Sequence, residues 1–514
     1  MLTSLLGSIN NKAKISSFIL GVLFSFAFAP FFVWPLNITL AFFAFLIRNT
    51  ETKADALKIG WLFGFGFYLA NLYWISIGVG VYADRFWWAI PISLVCLPAF
   101  LAIYSAALSL TMHFLKEKSF YVNNFVCLWI IFEIIRSKLF TGFPWSLVAY
   151  SFAFSDSVIQ ISSVIGSYGL GIIILFSFSS FYYLIIGHIK KFICYFFIVC
   201  VMWLVMLHYG KNRLESTPPE NTEIKIRMVQ PSIEQSSKWS IEKFWEHFDE
   251  HKKLSIYDRQ DFKPDLIIWP EAAVILEPKY AEVINALRSV VVGTKSILIT
   301  GGITDNLTQE NRKKDKVFAS IYAIKETGNL IFDYHKSHLV PFGEYVPYSD
   351  ILHIHKITPG LVPYSPGKPG FIIKIEDLNL KIKPLLCYEI IFPDEVRMLN
   401  KNADLILNLT NDAYYGKSSG PYQHFYIARM RAVENGIPVI RVANNGISGI
   451  FDPFGRIIAQ STLNSRSYID GFIPNKLDKS TIYSEYGNKV VYIYIITSLI
   501  LAFFLPKKKN YNKL

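Results

Sequence analysis

Cysteine is scarce in this chain, and most of it stands in apolar surroundings. Of five cysteines, Cys96, Cys127, Cys194 and Cys200 lie in long hydrophobic segments, while Cys387, in KIKPLLCYEIIFPDE (381–395), stands in a large polar region. That count and placement exclude a disulfide-stapled scaffold, which needs paired cysteines in its polar domain. Charge is thin as well: Asp, Glu, Lys and Arg make up 18% of the 514 residues, against 52% hydrophobic, too apolar for an ordinary soluble protein. Acids are fewer than bases, 39 against 51, for a formal net charge of +12. A nucleic-acid binder would gather such an excess on one face. Here much of it sits in short loops between apolar segments, the pattern that orients a chain in a membrane, so no nucleic-acid partner is expected. Metal-ligand spacing is missing too. Five of the ten histidines fall at 335–355 and 424, none paired with a second histidine and a carboxylate, and neither metal nor cofactor is expected. There is no short-period repeat and no low-complexity tract.

What is there begins with long apolar runs. The first, from Ser16 to Ile47, is too long for one span of roughly 20 residues, and Pro30 and Pro35 divide it. Lysines at 12 and 14 precede it, and Arg48, Lys53 and Lys58 follow, so it reads as two crossings. Further spans are expected near 59–80, 88–114, 121–140, 160–187 and 191–208, and an eighth from Tyr486 to Leu505. The loops alternate: KEKS (116–119) and HIKK (188–191) are basic, VYADRF (81–86) is not, and the chain ends in PKKKNYNK. The N-terminus and the tail are therefore expected in the cytoplasm and residue 209 outside. A cleaved signal peptide is not expected, because the first apolar stretch runs directly into a second span. Glu133 and Arg136, three apart in the fifth span, share a helical face; they either pair for packing or meet a lipid headgroup.

This divides the chain into a seven-helix membrane domain (1–212), an extracytoplasmic domain (213–485), and an eighth helix with a basic tail (486–514). In an oxidising compartment a lone cysteine is either a buried small hydrophobe or a working thiol. The polar domain carries short β-branched runs, among them IKIRMVQ, DLIIWPE, SILITGG, KIKPLLCYE, ADLILNLTND and IPVIRVANN, which read as strands. Helices are expected at 240–260, capped by Ser240, at 278–291 after a proline, and at 420–436 ending in Gly. Such a pattern implies a layered α/β domain. Three strand ends carry chemistry. Glu271 follows DLIIWP; Lys336 follows IFDYH, with Glu344 eight residues on; Cys387 ends KIKPLL, with Tyr388 and Glu389 next.

The order Glu, Lys, Cys at strand ends, with WPE, HKSHLVPFGEYVP and LLCYEIIFP, resembles the nitrilase (carbon–nitrogen hydrolase) superfamily. NLTNDAYYG and QHFYIARMRAVENGIPVIRVANNGISGI are similar to it too, apart from the family's usual Trp, which NDAYYG lacks. Together with the spans, LFGFGFYLANLYWI (62–75), GFPW (142–145) and GSYGL (166–170), the chain resembles the apolipoprotein N-acyltransferase family along essentially its whole length.

The resemblance implies eight transmembrane helices around an extracytoplasmic nitrilase-like α-β-β-α sandwich, in the inner membrane of a bacterium with the sandwich in the periplasm. It implies Cys387 as nucleophile, Glu271 as base and Lys336 as oxyanion stabiliser. Glu344 would assist the base or orient Lys336, and Glu389 and Tyr388 would hold the nucleophile's turn. Trp239 would be an acyl-chain or lid contact, unless it only staples the helix at Ser240. Asn411 and Asp412 would shape the pocket. The partners implied are a phospholipid acyl donor, a diacylglyceryl-modified apolipoprotein acceptor and the bilayer, with the enzyme a monomer. A membrane-anchored amidase acting on a small C–N substrate is the alternative. The apolar, Pro-rich stretch from 345 to 370 separates the two, being of use to a lipid enzyme as a lid.

Overall fold

The computed structural model describes residues 11–216, 220–257, 261–306, 316–349, 363–398 and 402–504. Residues 350–362, half of the 345–370 stretch with its two histidines, and the basic tail lie outside the described residues. The chain falls into two compact units, residues 77–87 with 217–484, and the remainder. The short stretch 77–87 thus belongs with the polar unit although the chain on both sides of it does not.

In the apolar unit, Ala89–Leu115, Ser162–Ile185 and Ile189–Glu215 are long and apolar enough to cross a membrane, by length and composition, among the described residues. Trp34–Arg48 and Lys489–Phe504 are shorter apolar helices. Small residues let backbones approach, as membrane helices require: a Cβ on Gly21 would sit 2.0 Å from the Phe63 carbonyl oxygen, and one on Gly60 would sit 2.4 Å from that of Ser105. Glu133 and Arg136 each brace the chain at 143–148. Glu133 accepts from Val148 N (2.9 Å) and Trp129 Nε1 (3.1 Å), and Arg136 donates to the carbonyls of Phe143 (2.5 Å) and Ser146 (3.2 Å). Val148 N and the Phe143 and Ser146 carbonyls, backbone groups that hydrocarbon would leave unsatisfied, thus find partners in these two side chains.

The polar unit is built on two six-stranded sheets. In the first, β1 (Asn221–Gln230), β2 (Leu266–Ile268), β3 (Ile297–Asn306), β4 (Lys316–Ile324) and β5 (Leu330–His335) lie side by side in chain order. In the second, β6 (Ile373–Ile375), β7 (Leu380–Leu386), β8 (Leu405–Thr410), β9 (Val439–Ala443), β10 (Gly449–Phe451) and β11 (Ile457–Gln460) do the same. The last strand, β12 (Ser467–Pro474), returns to pair antiparallel with β1. Strand pairs β1–β2, β2–β3, β7–β8 and β8–β9 are parallel, so their C-terminal ends point the same way within each sheet.

Alternation along the strands separates two cores. Ile226, Met228, Leu266 and Ile268 meet Ile382, Leu386, Leu405 and Leu407 between the sheets. Val229, Ile267 and Trp269 face the other way, onto Phe244, Phe248, Val283 and Leu287 of the helices Phe244–Ile256 and Ala281–Val291. Helix Gly420–Asn435 packs on β9, buried along nearly its whole length, and ends at Gly436, whose φ of 65° makes the left-handed cap. The layering is α-β-β-α. Helix Phe244–Ile256 begins four residues after Ser240, the cap expected from the sequence; Lys243 occupies the cap position there.

Candidate active site

Parallel strands bring loops together at their C-terminal ends, where a rigid sheet can hold side chains in register. Here β2 ends just before Glu271, β5 just before Lys336 and β7 just before Cys387. Two of these turns are strained: Cys387 has φ 44° and Ala272, next to Glu271, has φ 49°. A left-handed non-glycine residue costs on the order of 1–3 kcal/mol and persists where its surroundings over-determine it.

The surroundings do so at Cys387. Glu389, 2% exposed, accepts at Oε1 from Ser337 N (2.8 Å), Ser337 Oγ (2.7 Å), His338 N (3.1 Å) and the Tyr334 hydroxyl (2.8 Å). At Oε2 it accepts from Leu386 N (2.7 Å). One buried carboxylate thus ties the end of β7 to the end of β5, and so fixes the spacing of Cys387 and Lys336. On the other side, His424 Nε2 lies 3.2 Å from the Cys387 carbonyl oxygen and its Nδ1 lies 3.0 Å from Asp412 Oδ1. Arg441 donates to Asp412 Oδ2 (2.6 Å) and to Asn408 Oδ1 (2.7 Å). All four of these side chains are fully or almost fully buried. Burial acts to raise the Asp412 pKa, but Arg441 and His424 outweigh it and hold the carboxyl down at about 2. Tyr388 is buried too, its ring packed on His338 and Phe392.

The functional groups themselves converge. Lys336 Nζ is 2.7 Å from Glu344 Oε1 and 3.5 Å from Glu271 Oε1. The second Glu344 oxygen accepts from Val340 N at 2.7 Å, which fixes its orientation. The Cys387 thiol lies against the Glu271 carboxylate, within hydrogen-bonding reach. Burial raises the Glu271 pKa, with Lys336 opposing. Burial also pushes the Cys387 thiol up to about 12, the Glu271 charge adding to the rise and Lys336 opposing it. Burial works against the Lys336 ammonium, yet Glu344, Glu271 and Cys387 keep its pKa above the ordinary lysine range. The site therefore sets a thiol held in its protonated form beside the Glu271 carboxyl group and the Lys336 ammonium. That arrangement suits removal of the thiol proton during attack rather than before it.

Glu271, Lys336, Glu344, Cys387, Tyr388 and Glu389 are thus in one place. Trp239 is half-buried beside Tyr414 and lies five residues before helix Phe244–Ile256, which places it away from that helix's cap. Asn411 bonds Gln235 and Asn444, and Asp412 supports His424.

Three contributors were not read from the sequence as parts of the site: His424, Arg441 and Lys238. A lone Arg inside the apolar strand IPVIRVA was the available signal for Arg441, since a mid-strand charge needs a buried partner. Cys387, Asp412 and His424 place potential ligand atoms within 4.8 Å of one another. Asp412 is already engaged by Arg441 and Thr410, and His424 by the Cys387 carbonyl, so these two side chains serve as a hydrogen-bonded brace.

Comparison with known proteins places these residues in context. A family model described as carbon-nitrogen hydrolase matches residues 225–480, and one described as apolipoprotein N-acyltransferase N-terminal domain matches residues 20–180. A protein named apolipoprotein N-acyltransferase from Rickettsia bellii is 45% identical over 97% of this chain and 98% of its own. Its namesake from Rickettsia prowazekii is 44% identical over 96% of this chain and 98% of its own. Among solved structures, Saccharomyces cerevisiae Nit3, a member of branch 10 of the nitrilase superfamily, is 20% identical, with a TM-score of 0.38, over 50% of this chain and 92% of that one.

Proposed function

Because this chain belongs to the apolipoprotein N-acyltransferase family, we propose that it transfers an acyl chain from a membrane phospholipid to the α-amino group of an N-terminal diacylglyceryl-cysteine, through a thioester on Cys387. The observation that carries the mechanism is the contact of one thiol, one carboxylate and one shared ammonium at converging strand ends.

In the first half-reaction Glu271 takes the Cys387 proton as the sulfur attacks the ester carbonyl. The carbonyl electron pair becomes an oxyanion held by Lys336, with a backbone N–H of the 387–388 turn as second donor. The intermediate collapses, the ester C–O bond breaks, and Glu271 returns the proton to the leaving oxygen, giving a lysophospholipid. In the second half-reaction the α-amine attacks the thioester carbonyl, Glu271 removes the proton from nitrogen, and sulfur leaves to be reprotonated. Glu344 orients Lys336 throughout, Glu389 and Tyr388 keep the nucleophile's turn in place, and Trp239 contributes to acyl-chain contact. A thioester forms from an ester yet yields readily to an amine, which lets one thiol serve two substrates in turn.

Long apolar helices and the basic loops support eight spans, with the sandwich outside the inner membrane of a bacterium, where both lipid substrates lie. A small-molecule amidase is the weaker reading, since the named relatives match across the apolar unit as well as the polar one.

The test is incubation of purified protein with phospholipid, followed by intact-mass measurement. Wild-type protein should gain one acyl chain, lost again on adding hydroxylamine or a diacylated lipopeptide. Cys387→Ser should show little turnover and Cys387→Ala none. Acyl transfer to lipopeptide by the Cys387→Ala protein would mean direct attack of the amine on the phospholipid ester.

A further inference from the structure

Outside the group of residues just described, the polar unit buries two more lysines: Lys383, which donates to the Glu395 and Val396 carbonyls, and Lys238. Lys238 ends the short helical turn Gln235–Lys238, is 3% exposed, and its Nζ meets no hydrogen-bond acceptor among the described residues. An unpaired buried charge costs several kcal/mol, and an apolar side chain would fill the same space without that cost.

Its position is set by a clamp. Asn411 Nδ2 donates to Gln235 Oε1 (2.7 Å), and Gln235 Nε2 donates to the Tyr82 hydroxyl (3.1 Å). Asn444 Nδ2 donates to the Ile233 carbonyl (2.8 Å) and Asn444 Oδ1 accepts from Ile233 N (3.1 Å). Asn411 and Asn444 follow β8 and β9 directly, at the same sheet edge as Cys387 after β7. The clamp therefore holds the segment that carries Lys238 at the sheet edge where Cys387 stands. The charged and titratable groups that act on it are few. His247 and His251, on helix Phe244–Ile256, are both pushed toward the neutral form by burial and by Lys238, His251 down to about 3. The acid that acts on Lys238 is Glu271.

Glu271 is short of positive charge without it. Lys336 is closer to Glu344 (2.7 Å) than to Glu271 (3.5 Å), so one ammonium serves two carboxylates. The groups acting on Glu271 are Lys336, Glu344, Cys387 and Lys238. We propose that Lys238 is a positioning residue for Glu271: its buried ammonium supplies the second positive charge that lets Glu271 stand as a carboxylate, ready to take the thiol proton, with Glu344 alongside. Burial brings Lys238 down to about 8, which leaves it charged at neutral pH. The inference rests on the reading of Glu271 as the base.

The experiment follows thioester formation on the full-length protein in mixed micelles of phosphatidylethanolamine and phosphatidylglycerol, by intact mass, between about pH 5 and 9. Lys238→Met should move the acidic limb upward by about one pH unit. It should then be slower by about tenfold below the limb and converge with wild type above it, because loss of the positive charge raises the pKa of the base. Lys238→Arg should restore the wild-type limb. A Lys238→Met profile that overlies wild type, or that is lowered by one factor at every pH, overturns the proposal, the second result marking Lys238 as packing only. Should wild-type protein form no adduct, the thioester reading itself fails. The same comparison of limbs is then made on alkylation of Cys387 by iodoacetamide, read at the peptide level.

Discussion

At the scale of single residues, the site works by burying charges in a fixed count. Burial raises the Glu271 pKa and Lys336 opposes the rise, which makes it a stronger base toward the thiol than an ordinary exposed glutamate. Glu271→Gln keeps the shape and loses the proton acceptor, and should slow thioester formation on the order of 10²–10⁴ while the protein stays folded. Near-normal acylation of that variant would take Glu271 out of the chemistry. Asp412 makes a separate prediction, for stability. Its folded pKa, about 2, lies below the ordinary aspartate value, so the stability it contributes is present above about pH 4 and lost as pH falls toward 2. For this fully buried group that is on the order of 2–3 kcal/mol at neutral pH. The gap in unfolding temperature between wild type and Asp412→Asn should therefore narrow as pH falls through that window. A gap that stayed constant would show that Arg441 and His424 do not depress the aspartate.

At the scale of elements, placement of the base depends on how closely β3 passes the turn after β2. A Cβ on Gly301 would lie 2.6 Å from the Glu271 Cα and 2.6 Å from the Pro270 carbonyl oxygen. Gly301→Ala must push the 270–272 turn aside, and misplacement of a reacting group by about 1 Å can cost on the order of 10² in rate. The variant should keep its circular dichroism spectrum and lose thioester formation by about that factor. Full activity would show that the turn tolerates the shift. The strands themselves were legible in advance, because apolar runs of β-branched residues bounded by turn residues are a local signal. The start of helix Phe244–Ile256 was not: Ser240 Oγ accepts from Lys243 N at 3.3 Å, but the residues between form a turn and the helix begins only at Phe244.

For the whole molecule, the alternation of basic loops makes an orientation prediction. In a background lacking native cysteines, labels at Lys118 and Lys508 should react from the cytoplasmic side and a label at Asn221 from outside. Cytoplasmic labelling at Asn221 would remove the oxidising-compartment argument for reading a lone cysteine as functional. Residues 77–87 bear on this scale too. Read along the chain, 77–80 end the span expected at 59–80 and 81–86 form the loop after it, yet 77–87 pack within the polar unit, where Tyr82 accepts from Gln235 and a Cβ on Gly78 would lie 2.9 Å from the Tyr414 carbonyl oxygen.

The amino-acid sequence by itself determined the apolar segments, the succession of strands, and the placing of Glu271, Lys336 and Cys387 just past three of them. These are local properties, written in periodicity and in the residues that end a strand. Only the tertiary structure decided which charges act on one another: that Lys336 is shared by Glu271 and Glu344, that Glu389 ties β7 to β5, that Arg441 and Asp412 brace His424 under the Cys387 carbonyl, and that the buried Lys238 is near enough for its charge to act on Glu271. Burial and the choice of partner are set by chain segments far apart in sequence. The sign and size of a pKa shift follow from them, and no short stretch of residues contains that information.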